Sequence, residues 1–496
     1  MADHTVADMA DRVAQALQAM RCGRGDKAVR LLAELHHHSP NNTEISRLLG
    51  FSLRQEQRYL EADTVFTQAL ELSPEAPALI FGQAQTRYEL GLPAAALFER
   101  AQAVMPENRE VLRNRAAAMV SEGDPAGAET LLRVALKQQP DWLDGLKALA
   151  TLKWTHGDSE GFASHYADAT RANPGDSALW LAWFSVLAQT RQWDTARTIL
   201  GHAEQHIGTT PAIVSARLFV ACEGDDPSEA GALLAATAQI TGDTINLCRV
   251  RHALRQHRLD EAENLVLPQL GGESAGLFWP YASIIWRLLG DSRAEWLDRP
   301  GVTIQSRPLG LGAAEMAELA DVLRALHTME KPYVEQTVRG GTQTDRSVML
   351  RHEPILQRSR EAWMDAIRAN IAALPAPEEG HPFLRAERCQ LLLGGSWSVR
   401  LRGEGHNVPH THPMGWMSLS LYVAVPDKSD RGPAPAGHIT FGTPPSELGL
   451  DLKPYCSIVP EPGLVVTFPS MMWHAVVPFA AGERLMVALD IRPPVY

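Results

Sequence analysis

Residues 49–74, LGFSLRQEQRYLEADTVFTQALELSP, set two short apolar helices against each other. Leu49-Gly50 lies in the first, while Ala62, Phe66 and Ala69 recur at helical spacing in the second. Pro74 stops that second helix, since proline lacks an amide proton and its ring clashes with the preceding turn. The arrangement returns along the chain. Apolar helical runs are followed by Pro40, Pro74, Pro106, Pro140, Pro174 and Pro211, at spacings of 34, 32, 34, 34 and 37 residues. Between them stand Gly91, Phe98 and Ala101, then Gly123, Ala128 and Ala135, then Gly157, Tyr166 and Ala169, then Trp180, Ala196 and Ala203. The alanines permit close helix approach, and Gly25, Gly91, Gly123 and Gly157 are expected to end the first helix of each pair where a positive φ is needed.

A helix pair repeating every 34 residues and closed by proline resembles the tetratricopeptide repeat. Gly25, Ala28 and Pro40 fit a further unit upstream. Gly224 with Ala230, and Asp260-Glu261-Ala262, fit two degenerate units downstream, so the array is expected over residues 5–272. The resemblance implies an all-α solenoid whose concave groove holds a protein or peptide partner. Nothing in the repeats looks catalytic. His36-His37-His38 ends a second helix, where three adjacent side chains point in different directions and imidazoles suit the negative end of the helix dipole, so it is not read as a metal site.

The 496 residues exceed what one core supports, and 45% hydrophobic with 21% charged residues is the composition of a globular protein. The net charge of -12 is concentrated early, with 28 basic against 38 acidic residues in 1–300 and 18 against 20 in 301–496. An acidic array repels nucleic acid and leaves a basic or peptide partner permitted. Cys22, Cys222, Cys248, Cys389 and Cys456 form no C-x-x-C pair, which argues against a disulfide framework or a thiolate zinc site. No apolar run reaches the length that spans a bilayer, and the N-terminal residues hold no apolar signal core, so a cytoplasmic protein off the membrane is expected.

The texture changes near residue 300. Residues 273–300 are read as a terminal helix, GLFWPYASIIWRLLG, and a linker. A region over 301–496 opens with amphipathic helices at about 312–328 and 353–373. Runs of β texture follow: CQLLLGG, SWSVRLRG, WMSLSLYVAV, GHITFG, CSIVP, GLVVTF and RLMVALDI. Short strands separated by Gly/Pro turns, without helices between them, predict a sandwich or barrel.

Five of the 18 histidines, His406, His410, His412, His438 and His474, fall in this β region. His410 and His412 share one face at strand spacing, and His474 follows the strand GLVVTFPSMMW, a pattern that can assemble a facial metal triad in a barrel mouth. Arg484 comes ten residues later, where a hairpin would carry it to the next strand. A buried guanidinium needs an anion, and a dicarboxylate chelating the metal would supply one.

The segments SWSVRLRGEGHNVPHTHPMGWMSLSLYVAVP and GLVVTFPSMMWHAVVPFAAGERLMVAL, preceded by VRGGTQTDRSVML, resemble the 2-oxoglutarate/Fe(II)-dependent oxygenases that are often appended to tetratricopeptide arrays. The resemblance implies an α+β double-stranded β-helix, or jelly roll, holding Fe(II) at His410, His412 and His474. It implies 2-oxoglutarate as cosubstrate, with its far carboxylate on Arg484 and Tyr422, O2 as oxidant, and hydroxylation of a protein or peptide as the reaction. His412 stands where the wider superfamily has Asp or Glu. Either it is a ligand, or the carboxylate is absent and water takes its position. Arg400, Arg402, Asn407, Trp416 and Ser418 are weaker pocket candidates, and Trp473 is read as packing. Two other readings stay open: a cupin-type metal enzyme, against which no Glu follows His412 at the right offset, and a non-catalytic interaction scaffold with a degenerate barrel.

Overall fold

The computed structural model describes residues 2–224, 228–385, 388 and 391–492. The chain divides into two compact units, Met1–Gln139 with Met349–Gln357, and Pro140–Val348 with Arg358–Tyr496.

In the first unit four helix pairs follow one another: Ala2–Arg21 with Gly25–His38, Thr43–Gln55 with Tyr59–Leu72, Pro77–Leu90 with Ala95–Val104, and Arg109–Ser121 with Pro125–Gln138. Steric fit explains why the sequence repeats. The fully buried Phe66 ring lies between Gly50 and Gly82, so closely that a Cβ added at either would stand 2.6 or 2.7 Å from it. Asn42 and Asn108 cap their helices by accepting two backbone amides each, in place of the missing preceding turn. The backbone shows the period too. Positive φ occurs at Gly23, Gln57, Gly91 and Gly123, and again at Gly157 and Arg191 in the second unit, each between the two helices of a pair. Gly23 rather than Gly25 therefore makes the first such turn. Gly25 opens the second helix, buried where a side chain would collide with Glu56. The segment Met349–Gln357 docks on this unit: the His352 amide donates to Leu90 O, and the Arg351 guanidinium packs where a Cβ on Gly91 would lie.

The second unit continues the helical pattern with Leu143–Thr155 and Tyr166–Ala172, Ser177–Gln189 and Trp193–Ile207, Pro211–Glu223 and Ala230–Ala236, and Asp243–Arg255 and Leu259–Val266. Asp225, Asp226 and Pro227, inside one degenerate repeat, lie outside the described residues. The helix Trp279–Leu289 is buried over residues 280–286 and shares one apolar cluster with Val250 and Leu254 of the preceding repeat and with Leu448 and Trp473 of the β region. Among the described residues no helix is long and apolar enough to cross a membrane.

Among the described residues nine strands follow: β1 (Gln305–Pro308), β2 (Val338–Gln343), β3 (Leu393–Asn407), β4 (Met417–Ala424), β5 (Ile439–Phe441), β6 (Cys456–Ile458), β7 (Leu464–Pro469), β8 (His474–Val476) and β9 (Arg484–Ile491). One antiparallel sheet has the order β1-β7-β4-β9-β3-β2 and a smaller one β6-β5-β8. Val399, Tyr422, Phe468 and Met486 from the first and Ile439, Phe441 and Val476 from the second make a common core, so the sheets face each other as a jelly roll requires. With helices Ala313–Leu326 and Pro354–Ala372, this is the α+β region expected after the solenoid.

Three local expectations are corrected. CQLLLGG and SWSVRLRG are parts of one long strand, β3, and Cys389 and Gln390 lie outside the described residues. His410 and His412 are not in a strand: Pro409 and Pro413 bracket them, proline cannot donate to a ladder, and only an isolated bridge from His410 to His474 forms. Finally, β8 and β9 are not a hairpin. They belong to opposite sheets, and the connection between them crosses the sandwich.

Candidate metal centre

The β3–β4 connection is held against the turn after β7 by backbone hydrogen bonds. His410 and His474 exchange two, each of 3.0 Å, and the His412 amide donates to Ser470 O at 2.8 Å. The three imidazoles therefore meet, with ring centroids 4.2 Å apart for His410–His474, 5.0 Å for His412–His474 and 5.1 Å for His410–His412. One ligand atom from each lies within 4.8 Å of the others, so the trio could hold a metal ion.

Each Nδ1 faces an acceptor: Val408 O at 2.8 Å for His410, Met472 O at 3.0 Å for His474, and Asp490 Oδ1 at 2.8 Å for His412. A carbonyl or carboxylate cannot donate, so each Nδ1 carries a proton, and Nε2 is the nitrogen left on each ring to ligate a metal. Burial, and the neighbouring His412, push His410 down to about 3. Burial, then the charges His410 and His412 would carry, push His474 well below the usual imidazole range. Imidazoles that offer Nε2 in this way are a donor set that a divalent transition metal takes.

The trio lies on a cavity of about 370 Å³ between the two sheets. Arg484, Met486, Ala488 and Asp490 alternate along β9 with outward-facing residues and all line it. Arg484 is completely buried, and its Nε and Nη2 have no hydrogen-bond partner. Its guanidinium lies over the Tyr422 ring, 4.9 Å from the centroid, and Nη1 contacts Met486 Sδ at 3.2 Å. Burial lowers its affinity for the proton and raises that of Tyr422, the cost of desolvating each charged form. Tyr422 belongs to the core beside Arg484 and is not among the residues lining the cavity.

Of the weaker candidates, Asn407 and Ser418 line the cavity. Arg400 pairs with Glu483, His438 with Ser457, and the Trp416 indole donates to Phe383 O. Arg402 is exposed, and His406 turns back on Glu404 O of its own strand. Trp473 donates to Pro280 O and packs edge-on to Tyr281, as a packing residue would. Asp490 was not singled out from the sequence. The signal was present: in RLMVALDI the acid stands at the alternate position that continues Arg484, Met486 and Ala488.

Residues 395–490 match the model of the family described as "Putative 2OG-Fe(II) oxygenase", a span that includes all three histidines and Arg484. Among solved structures, MamA 41-end from Desulfovibrio magneticus RS-1 is similar at 18% identity and a TM-score of 0.31, over 34% of this chain and 97% of that one. A tetratricopeptide repeat protein from Parabacteroides merdae ATCC 43184 is similar at 15% identity and a TM-score of 0.32, over 48% of this chain and 98% of that one. The repeat architecture rests on the helix pairs themselves rather than on these likenesses. No curated protein matches the sequence.

Proposed function

We propose that the protein is a 2-oxoglutarate- and Fe(II)-dependent oxygenase that hydroxylates a protein or peptide substrate held by the repeat array of residues 5–272, with the catalytic domain over 301–496 beyond the connecting helix. The observation that carries this reading is the pairing, in one cavity, of three convergent imidazole Nε2 atoms with a buried guanidinium whose Nε and Nη2 lack partners. A buried cation in that state calls for an anion, and a dicarboxylate that also reaches the metal satisfies both ends.

His410, His412 and His474 would hold the iron, each through the ring nitrogen not engaged by Val408 O, Asp490 or Met472 O. Arg484 takes the far carboxylate of 2-oxoglutarate by charge-assisted hydrogen bonds, with Tyr422 fixing the guanidinium plane from behind. When bound, Fe(II) and 2-oxoglutarate supply O2 reduction coupled to oxidative decarboxylation, so that 2-oxoglutarate, O2 and a substrate C–H yield succinate, CO2 and C–OH. The apolar wall formed by Ile439, Phe468, Met486 and Ala488 excludes water around the cosubstrate.

The peptide reading is supported by a groove of about 550 Å³ lined by Phe184, Ala188 and Gln189 of one repeat and Ala212, Ala216 and Phe219 of the next. Gln189 Nε2 donates to Glu335 Oε1 at 3.3 Å, Lys147 pairs with the same oxygen at 2.5 Å, and Glu335 lines the metal cavity. The groove and the metal cavity thus adjoin at Gln189 and Glu335. The four described cysteines are unpaired, in keeping with the cytoplasmic location proposed here.

The test is anaerobic titration of the purified protein with Fe(II) and 2-oxoglutarate, following the visible charge-transfer band of the chelate. A band in the wild type that is lost in Arg484→Ala is expected. Bound metal without a band would favour a cupin-type enzyme, and no metal at all would leave a scaffold.

A further inference from the structure

The three imidazoles are alike in protonation pattern and unlike in what stands behind them. His410 and His474 donate to backbone carbonyls, which are neutral, while His412 donates to the carboxylate of Asp490. Asp490 is itself held. Strand register places it opposite Ser418, whose Oγ donates to the same Oδ1 at 2.6 Å, and Ser418 Oγ lies 2.8 Å from Ser470 Oγ. Ser418 spends its one proton on Asp490, so Ser470 is the donor in that second contact. The resulting chain, Ser470 to Ser418 to Asp490 from the hydroxyl side and His412 to Asp490 from the ring side, ties the carboxylate to β4, β9 and the turn that also binds the His412 backbone.

We infer that Asp490 is a positioning residue that fixes the Nδ1–H tautomer of His412 and delivers, through that ring, the negative charge that a three-histidine centre lacks. This rests on the metal-centre reading above. A carboxylate hydrogen-bonded to the far nitrogen of an imidazole ligand locks the ring and makes its other nitrogen more basic, and removing such a partner costs about 10–100-fold in metal affinity. The usual facial carboxylate is thus moved one shell outward, behind His412, and the ring becomes the most electron-rich of the three ligands.

The test uses Co(II) alone, titrated anaerobically into the full-length protein and followed by its visible d–d bands. The wild type should bind one ion, and His474→Ala should abolish binding. Asp490→Asn keeps the size and one acceptor oxygen but not the charge, and should weaken binding about tenfold with a shifted d–d band; Asp490→Ala, losing the acceptor as well, should weaken it up to about 100-fold. A merely structural Asp490 would change the melting temperature of the metal-free protein and leave the band where it is. Wild-type affinity and an unmoved band in Asp490→Asn overturn the inference while leaving the metal centre intact. No Co(II) binding by the wild type, or full binding by His474→Ala, overturns the metal centre and the inference with it.

Discussion

Replacing Arg484 by methionine should make the metal-free protein more stable while removing its response to 2-oxoglutarate. Arg484 is completely buried, and two of its nitrogens lack a partner. Each buried donor left unmade costs about 1–3 kcal/mol, and exchanging a buried ion for an apolar side chain of similar volume stabilises proteins by about 1–4 kcal/mol. The substitution extends the apolar surface of Met486 and the Tyr422 ring, which already touch the guanidinium. At roughly 2.1 cal/mol/K per residue, a unit of about 350 residues shifts by about 1.4 °C per kcal/mol, so the melting temperature should rise by at least about 1 °C. The cosubstrate effect has the opposite sign. Two charge-assisted hydrogen bonds to the far carboxylate, at about 1.5–3 kcal/mol each, predict affinity weaker by about 10²–10⁴-fold. Anaerobic scanning calorimetry with Co(II), with and without 2-oxoglutarate, reads both. In the wild type the ligand at 100 times its Kd adds about 2.7 kcal/mol and identifies the transition that contains the site. A variant that melts below the wild type and still responds to 2-oxoglutarate would refute the argument from the unpaired guanidinium.

Gly50→Ala should destabilise the first unit by about 1–3 kcal/mol, because its Cβ meets the Phe66 ring. In a Phe66→Ala background, itself about 3–5 kcal/mol less stable, the same change should become stabilising by up to about 1 kcal/mol, and urea unfolding of the four proteins measures the reversal. His327 donates and accepts between Thr342 and Ser398, and burial, reinforced by Arg400, holds it down to about 4 against an ordinary 6.5. The unfolded chain then binds the extra proton, so stability should fall as pH drops from 6.5 to 4, by at most about 3 kcal/mol, and His327→Gln should flatten that slope in equilibrium unfolding. Asp298, buried with its carboxylate accepting from Ser283 Oγ at 2.8 Å, is raised to about 6 by burial. Its contribution is present below pH 4 and lost as pH rises through 6, so Asp298→Asn should gain stability near neutrality, read as a higher melting temperature at pH 7.

The repeats were legible because one steric fact recurs. A ring such as Phe66 needs two glycines beside it, and that demand prints Gly50 and Gly82 into the sequence at a fixed distance. The spacing irregularity is legible as well: Pro74 to Pro106 spans 32 residues, and so does the step between the positive-φ turns at Gly91 and Gly123. What the period does not say is which glycine turns. Gln57 and Arg191 occupy the same left-handed position without being glycine, so residue identity alone misassigned the first turn to Gly25.

In the β region, periodicity served the long strands and failed the short ones. β8 has three residues and His410 a single bridge, too few for an alternation to register, so the loop holding two of the three imidazoles looked like a strand. Arg484 was conspicuous as a cation followed by an apolar run. Asp490 was not, because its meaning depends on the register that sets it beside Ser418 and behind His412. Yet one rule links the two: β9 turns residues 484, 486, 488 and 490 to the cavity, and only the first and last are charged. A strand that faces its cation to one end of a cavity and its anion to the other is polarised along its length. On the function proposed above, the Arg484 end would draw a dicarboxylate and the Asp490 end a divalent ion, so the two groups would enter the same cavity without competing for the same side chain.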